Sequence, residues 1–278
     1  MGGVLGVLVL WVLVQFAAAF IASHGEQFSD PAEPPAAFGS CWRHVTTPEM
    51  DAWWCPASTA EAGAPIVFSH GYGGDREGLR TLSNTLHERT GRGILLPRLA
   101  YASGAEPFGG GEREGEAVAA AQRWAATETG RAPVVFGFSV GGYAALRAVA
   151  SGAPTSAVIV DSSFLSSRDV FVFGATRVVR SPRWSTPEWF WAGMPVVYPL
   201  VSKGGHLGEV DPAKVATWTT PTLAIRCRAD DTVPLAYQRV LVDRLHAEEW
   251  VGPCDEHTGA YDADPVAYTD RVVAFLAR

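Results

Sequence analysis

The hydrophobic pattern divides the chain into three stretches. From Gly2 to Ala22 it carries no charge, and Gln15 is the only strongly polar side chain. At about 1.5 Å per residue such a helix spans roughly 30 Å, enough to cross a bilayer core. Residues 23–38 are rich in Pro and Ala, with scattered acids and no period, which predicts a linker. From Cys41 onward, short apolar runs alternate with stretches of helical period. The runs Pro65–Phe68, Gly93–Leu96, Pro133–Phe136, Ala157–Val160, Thr222–Ile225 and Glu249–Val251 predict strands. Between them, Asp75–Arg89, Glu112–Thr129, Val140–Ala150, Leu235–His246 and Pro265–Ala277 predict helices. Leu79, Leu82 and Leu86 keep the helical spacing in the first of these. This alternation predicts an α/β fold, a mostly parallel central sheet with helices on both faces.

One segment breaks the rhythm. Residues 164–210 hold Phe171, Phe173, Trp184, Trp189, Phe190, Trp191 and Tyr198, interrupted by four prolines. It is too long for a simple connection in a compact domain. We read it as a helical cap inserted over the C-terminal edge of the sheet. A packing insert with no substrate role is the alternative. The expected organisation is therefore an anchor or signal over 1–22, a linker over 23–38 and one domain over 39–278.

Composition narrows the picture. With 278 residues, 47% of them hydrophobic, the chain can bury one large core. A net charge of −7 and no basic run give no electrostatic reason to bind nucleic acid. The N-terminal segment has no basic residue before its long apolar run, which favours an uncleaved single-span anchor over a cleaved signal peptide. Ala17-Ala18-Ala19 could still serve as a cleavage site. Acidic residues follow the span, and the simplest orientation puts the domain outside the cytoplasm.

The four cysteines bear on the compartment. Cys41 and Cys55 flank an apparent hairpin with a turn near Pro48, so antiparallel pairing would place them opposite each other. Cys227 and Cys254 fall at the ends of what should be neighbouring strands. Two disulfides, Cys41–Cys55 and Cys227–Cys254, are expected in an oxidising compartment, with four buried thiols as the alternative. No C-x-x-C or paired Cys/His spacing points to zinc.

The chemistry centres on Gly137-Phe138-Ser139-Val140-Gly141, a strand, a sharp turn with one serine, and a helix start. This fits the G-x-S-x-G nucleophile elbow, where small neighbours allow the turn and the helix N-terminus favours developing negative charge. The Gly-rich loop Phe108-Gly109-Gly110-Gly111 lacks G-K-[ST] and reads as a loop near the site rim, not a phosphate cradle.

A serine hydroxyl needs a base, and of seven histidines only His257 combines a late position, a loop setting and a strand end. With Ser69-His70-Gly71-Tyr72-Gly73-Gly74 and Asp230-Asp231-Thr232-Val233-Pro234, these segments resemble the α/β-hydrolase superfamily from about Cys41 to the C-terminus. The likeness is nearest to single-domain bacterial serine hydrolases of the serine aminopeptidase and prolyl-oligopeptidase-like groups. It implies Ser139 as nucleophile, His257 as base and Asp230 as the acid that orients it. Asp231 and Asp161 remain rivals for the acid. The resemblance also implies an oxyanion hole from the backbone N–H groups of Tyr72 and Val140; His70 is expected to brace the Tyr72 loop rather than take part in catalysis. Cys227 stands where relatives often have glycine, and the cap matches no substrate signature.

These readings lead to a serine hydrolase acting through an acyl-enzyme on an ester, thioester or amide, most like a carboxylesterase. A membrane-tethered serine peptidase and a catalytically idle binding module are the alternatives. No cofactor, metal or nucleic acid is implied. The expected partners are a small ester or peptide-like substrate and, through the first helix, a membrane.

Overall fold

The computed structural model describes residues 2–24, 30–101, 106–178 and 186–278. In chain order the helices are α1 (Gly2–Ser23), α2 (Arg80–Thr90), α3 (Glu112–Thr129), α4 (Val140–Ala150), α5 (Ser167–Val178), α6 (Met194–Val201), α7 (Pro212–Ala216), α8 (Leu235–Leu245), α9 (Ala260–Ala263) and α10 (Pro265–Leu276). The strands are β1 (Arg43–Thr47), β2 (Met50–Cys55), β3 (Ile66–Ser69), β4 (Ile94–Pro97), β5 (Val134–Phe138), β6 (Ala157–Asp161), β7 (Thr222–Cys227) and β8 (Glu248–Gly252).

The strands form one sheet in the order β1-β2-β4-β3-β5-β6-β7-β8. Only β1 with β2 and β2 with β4 are antiparallel, and β4 through β8 run parallel. The apolar runs of the central strands follow from burial on both faces. Side chains alternate along each strand: Val135, Val158 and Val160 join the core under α3 and α4. Phe136, Ile159, Leu223 and Ile225 point the other way, into the core with α2 and α10. The sheet and its two helical layers match the α/β architecture expected from the alternating pattern.

Local chemistry adjusts one boundary and brings both cysteine pairs together. The helix expected from Asp75 begins as a 3-10 turn, Glu77–Leu79, before α2. The Asp75 carboxylate accepts from Gly78 N at 2.9 Å, and Arg76 turns inward to Asp30 at 2.7 Å, so neither continues a regular helix. In the opening hairpin Arg43 pairs with Trp54, which carries Cys41 to Cys55. Their sulfurs are bonded, with Cα atoms 5.0 Å apart. Cys227 pairs in register with Gly252, two residues short of Cys254, and the second disulfide joins Cys227 to Cys254 across 4.8 Å between Cα atoms.

The segment expected as a linker does not hang free over its described part. Asp30 is buried and takes bonds from Arg76 (2.7 Å) and Arg98 (3.1 Å), while Trp53 Nε1 donates to the Ala32 carbonyl at 2.8 Å. Phe38 belongs to the core beside Trp42 and Trp53. Residues 25–29 lie outside the described residues, as does Trp184 of the expected cap.

The first helix is long and apolar enough to cross a membrane. It is also docked. Trp11 Nε1 and Gln15 Nε2 both donate to the Phe190 carbonyl, at 2.8 and 3.0 Å, and Phe108 N donates to the Ser23 carbonyl at 2.8 Å. Its contact face runs along α6.

Candidate active site

The residues of interest converge at the C-terminal ends of the parallel strands, where open α/β sheets bind ligands. Ser139 sits between β5 and α4 with φ 50° and ψ −119°. A non-glycine residue at positive φ costs of order 1–3 kcal/mol and persists only when its surroundings impose it. Here Ser139 N donates to Asp161 O (2.8 Å), and Ser139 O accepts from Tyr143 N (3.1 Å) and Ser163 Oγ (2.9 Å). Close approach explains the flanking glycines. A Cβ on Gly141 would lie 2.2 Å from Ser69 O, and one on Gly137 2.5 Å from Gly141 O.

His257 follows β8 and reaches back to the elbow. Its Nε2 is 2.8 Å from Ser139 Oγ and its Nδ1 is 2.8 Å from Asp230 Oδ2. The Asp230 side chain is fully buried, and its Oδ1 accepts from Thr232 N and Val233 N, both at 2.8 Å. Gln238 Nε2 from α8 donates to Oδ2 at 2.9 Å. Four donors thus aim this carboxylate, counting the imidazole.

The two rival acids are placed otherwise. Asp231 is exposed and takes a bond from its neighbour's Thr232 Oγ1 at 3.2 Å. Asp161 is buried at the end of β6, where Ser162 Oγ and Tyr268 OH each donate to it at 2.9 Å. Burial pushes its carboxyl up to about 6, partly offset by those two bonds. Ser162 passes the constraint on, its Oγ accepting from Thr258 N at 3.2 Å, so β6 steadies the loop that carries His257.

Val140 opens α4, and its N–H therefore has no intrahelical acceptor. It lines one cavity with Tyr72, Ser139 and His257. The Tyr72 loop is pressed against the elbow, since a Cβ on Gly71 would lie 3.3 Å from Phe138 O. His70 lies beneath this loop. Its Nδ1 is 3.1 Å from Gly71 O, and Tyr101 OH donates to the same carbonyl at 3.1 Å. Burial lowers the pKa of His70 and favours the neutral ring.

Ser139 opens onto two spaces. One, about 270 Å³, has apolar walls that include Val170, Phe171 and Ala175 of α5, Trp191, and Ala18 and Ala22 of α1. The other, about 500 Å³, is more polar and runs along Gly73, Asp75, Tyr261 and Asp262. The part played by α1 and by Gln238 is absent from the sequence expectations. Gln15, alone among apolar neighbours and 1% exposed, is the signal that marks a docked face on α1.

A group of Cys41, Cys55 and His87 has metal-like proximity. Its two sulfurs are joined as a disulfide and are not thiolate ligands.

No family model matches the chain, and no curated protein matches it. Solved structures do. The Pyrococcus furiosus esterase Pf2001 is 19% identical over 91% of this chain and 99% of its own, with a TM-score of 0.68. The thermophilic esterase Est2 from Thermogutta terrifontis is 14% identical over 88% of this chain and 93% of its own, with a TM-score of 0.62. A carboxylesterase from the thaumarchaeon Nitrososphaera gargenis is 15% identical over 84% and 97%, with a TM-score of 0.56. The chain has the α/β-hydrolase fold. These neighbours bear on the fold and not on the narrower aminopeptidase and prolyl-oligopeptidase-like groups.

Proposed function

We propose that this protein is a serine hydrolase of the carboxylesterase type, with Ser139, His257 and Asp230 as its catalytic residues. The observation that carries the reading is the hydrogen-bond chain from Ser139 Oγ through both nitrogens of His257 to Asp230, 2.8 Å at each step. The esterase neighbours share the fold and agree with it.

In this reading Ser139 Oγ attacks the substrate carbonyl while His257 Nε2 takes its proton. Asp230 holds the imidazole with Nδ1–H toward the carboxylate and stabilises the imidazolium. The N–H groups of Val140 and Tyr72 receive the developing oxyanion, a contribution of about 3 kcal/mol for a single donor in such sites. The C–O bond to the alcohol breaks, and His257 returns the proton to the leaving oxygen. Water, activated by the same imidazole, then releases the acid and restores Ser139.

The apolar space beside Ser139 supports an acyl ester, because it offers a hydrocarbon surface to an acyl chain. The two disulfides and the apolar α1 support a domain tethered at a membrane on its oxidising side.

The test is covalent labelling by a fluorophosphonate together with hydrolysis of p-nitrophenyl acetate. Wild type should react in both assays and Ser139→Ala in neither. An unlabelled wild-type protein would instead identify an idle binding module.

A further inference from the structure

The first helix does more than offer a membrane-crossing length. Its outer face exposes Val4, Leu5, Val7 and Leu8, while its far end brings Ala18 and Ala22, with the largely exposed Ile21 at the edge, to the cavity that holds Ser139 and His257. The docking is specific, since Gln15, its one strongly polar side chain, is buried and bonded to the Phe190 carbonyl. The cap continues the same surface. Trp189 is 74% exposed beside α1, and Val196 and Leu200 are exposed on α6, the helix against which α1 lies. The cap and the first helix thus present neighbouring apolar surfaces, and Trp191 and Met194 of the one and Ala18 and Ala22 of the other line the cavity beside Ser139.

We propose that α1 is a retained part of the substrate site and that its Ala18, Ile21 and Ala22 select a lipid-phase ester by the length of its acyl chain. The inference rests on the serine-hydrolase reading and names the substrate class of that same site. The acyl chain lies in the apolar space between α1 and α5. The alcohol lies in the second, more polar space, past Asp75 and Asp262. The ester carbonyl falls between them, at the residues both spaces share, Tyr72, Ser139 and His257.

Size sets the chain length. A dry apolar cavity of roughly 150 Å³ accepts benzene, so space scales to a chain on the order of ten carbons here, given the 270 Å³ beside Ser139. Small side chains at positions 18 and 22 create that space, and a larger one on either would fill it. A helix removed as a signal peptide would take this wall away and expose Val170, Phe171 and Trp191 to water, at a cost set by the apolar area uncovered.

The experiment compares kcat/KM for p-nitrophenyl decanoate and p-nitrophenyl acetate, using full-length protein in detergent micelles. Ala22→Phe and Ala18→Phe should lower the decanoate-to-acetate ratio by about 20-fold. Ile21→Ala, which enlarges the same wall, should move the preferred chain from decanoate toward dodecanoate. Ser139-dependent acetate hydrolysis with an unmoved ratio in all three variants overturns the inference and leaves the serine-hydrolase reading standing. A photoreactive decanoate carrying a terminal diazirine gives a second readout, in Ser139→Ala, that needs neither turnover nor a substituted pocket. Labelling at Ala18–Ala22 that unlabelled decanoate competes away supports the pocket, and its absence overturns it, whether or not any ester is cleaved.

Discussion

Gln238 donates to Oδ2 of Asp230 at 2.9 Å, the same oxygen that meets His257 Nδ1 at 2.8 Å. A residue eight positions along the chain, on α8, therefore sets the direction of the carboxylate that in turn sets the imidazole. With Thr232 N and Val233 N on Oδ1, the buried Asp230 has its acceptor sites engaged in one orientation.

Substitution of the acids separates their roles. Asp230→Asn is expected to lower kcat by about 10⁴, because the amide favours the wrong imidazole tautomer. Asp231→Asn, at an exposed position, is expected to stay within about twofold of wild type. Gln238→Leu removes one bond to a charged group and should cost about tenfold in kcat with little change in KM. Steady-state kinetics on p-nitrophenyl acetate read all three, and equal effects of the two Asp changes would contradict the assignment.

The elbow tolerates no bulk at Gly141. Gly141→Ala places a Cβ within 2.2 Å of the Ser69 carbonyl oxygen and 2.3 Å of the His70 oxygen, both backbone atoms that cannot step aside. Stability should fall by about 3 kcal/mol, at the upper end for overpacking. The urea midpoint checks this, and a midpoint equal to wild type would show that the strand and helix are not in that contact.

The buried Asp161 makes stability depend on pH in a defined sense. Burial raises its folded pKa to about 6, above the 3.8 of an open chain. Between those values the native state binds more protons than the unfolded one, so stability falls as pH rises through the folded pKa. The cost at neutral pH is on the order of 2–3 kcal/mol. Asp161→Asn should recover part of it above pH 6 and none below about pH 4. The buried His70 acts in the opposite sense, its lowered pKa costing stability as pH falls below its ordinary 6.5. It is common to both proteins, so the difference in unfolding free energy between wild type and variant isolates Asp161. A difference that does not change between pH 4 and 7 would rule the effect out.

The two disulfides should differ in their effect on activity. Closing a loop of 27 residues, Cys227–Cys254 stabilises the fold by about 3.5 kcal/mol on the chain-entropy argument. Its second cysteine stands three residues before His257 and its first three before Asp230, so paired Cys227→Ser and Cys254→Ser changes should lower both the melting temperature and kcat. Paired Cys41→Ser and Cys55→Ser changes, on the hairpin at the far edge of the sheet, should lower the melting temperature while kcat for p-nitrophenyl acetate holds. Equal losses of kcat would show that the Cys227 bridge has no special hold on the His257 loop.

Much of this architecture is written in local pattern. Apolar runs of strand length alternating with helical period specify a sheet covered on both faces, because a parallel strand must bury both of its sides. The elbow is legible because Gly137 and Gly141 answer a steric demand within five residues. The order of Ser139, Asp230 and His257 is legible through the strand ends on which they fall. Asp230 and Asp231 could not be separated that way, since adjacent residues share every local signal. The resemblance pointed to Asp230, and in the structure it is Asp230, not Asp231, whose carboxylate meets His257 Nδ1.

Other features have no local pattern at all. Ser162 and Thr258 both adopt positive φ and meet across 96 positions, bracing the loop of His257. Asp30, in a segment that reads as linker, is drawn into the domain by Arg76 and Arg98, because a buried guanidinium must find a carboxylate. The length and apolarity of α1 stand in the sequence and suffice to mark a helix able to cross a membrane. That Ala18 and Ala22 form a wall beside Ser139 does not, because burial of apolar surface is non-directional and does not say which face meets which partner. The sequence by itself determined the alternation of strands and helices and the glycine-flanked turn that carries Ser139. The tertiary structure decided which acid faces the imidazole and what encloses the serine, through contacts between residues far apart in the chain.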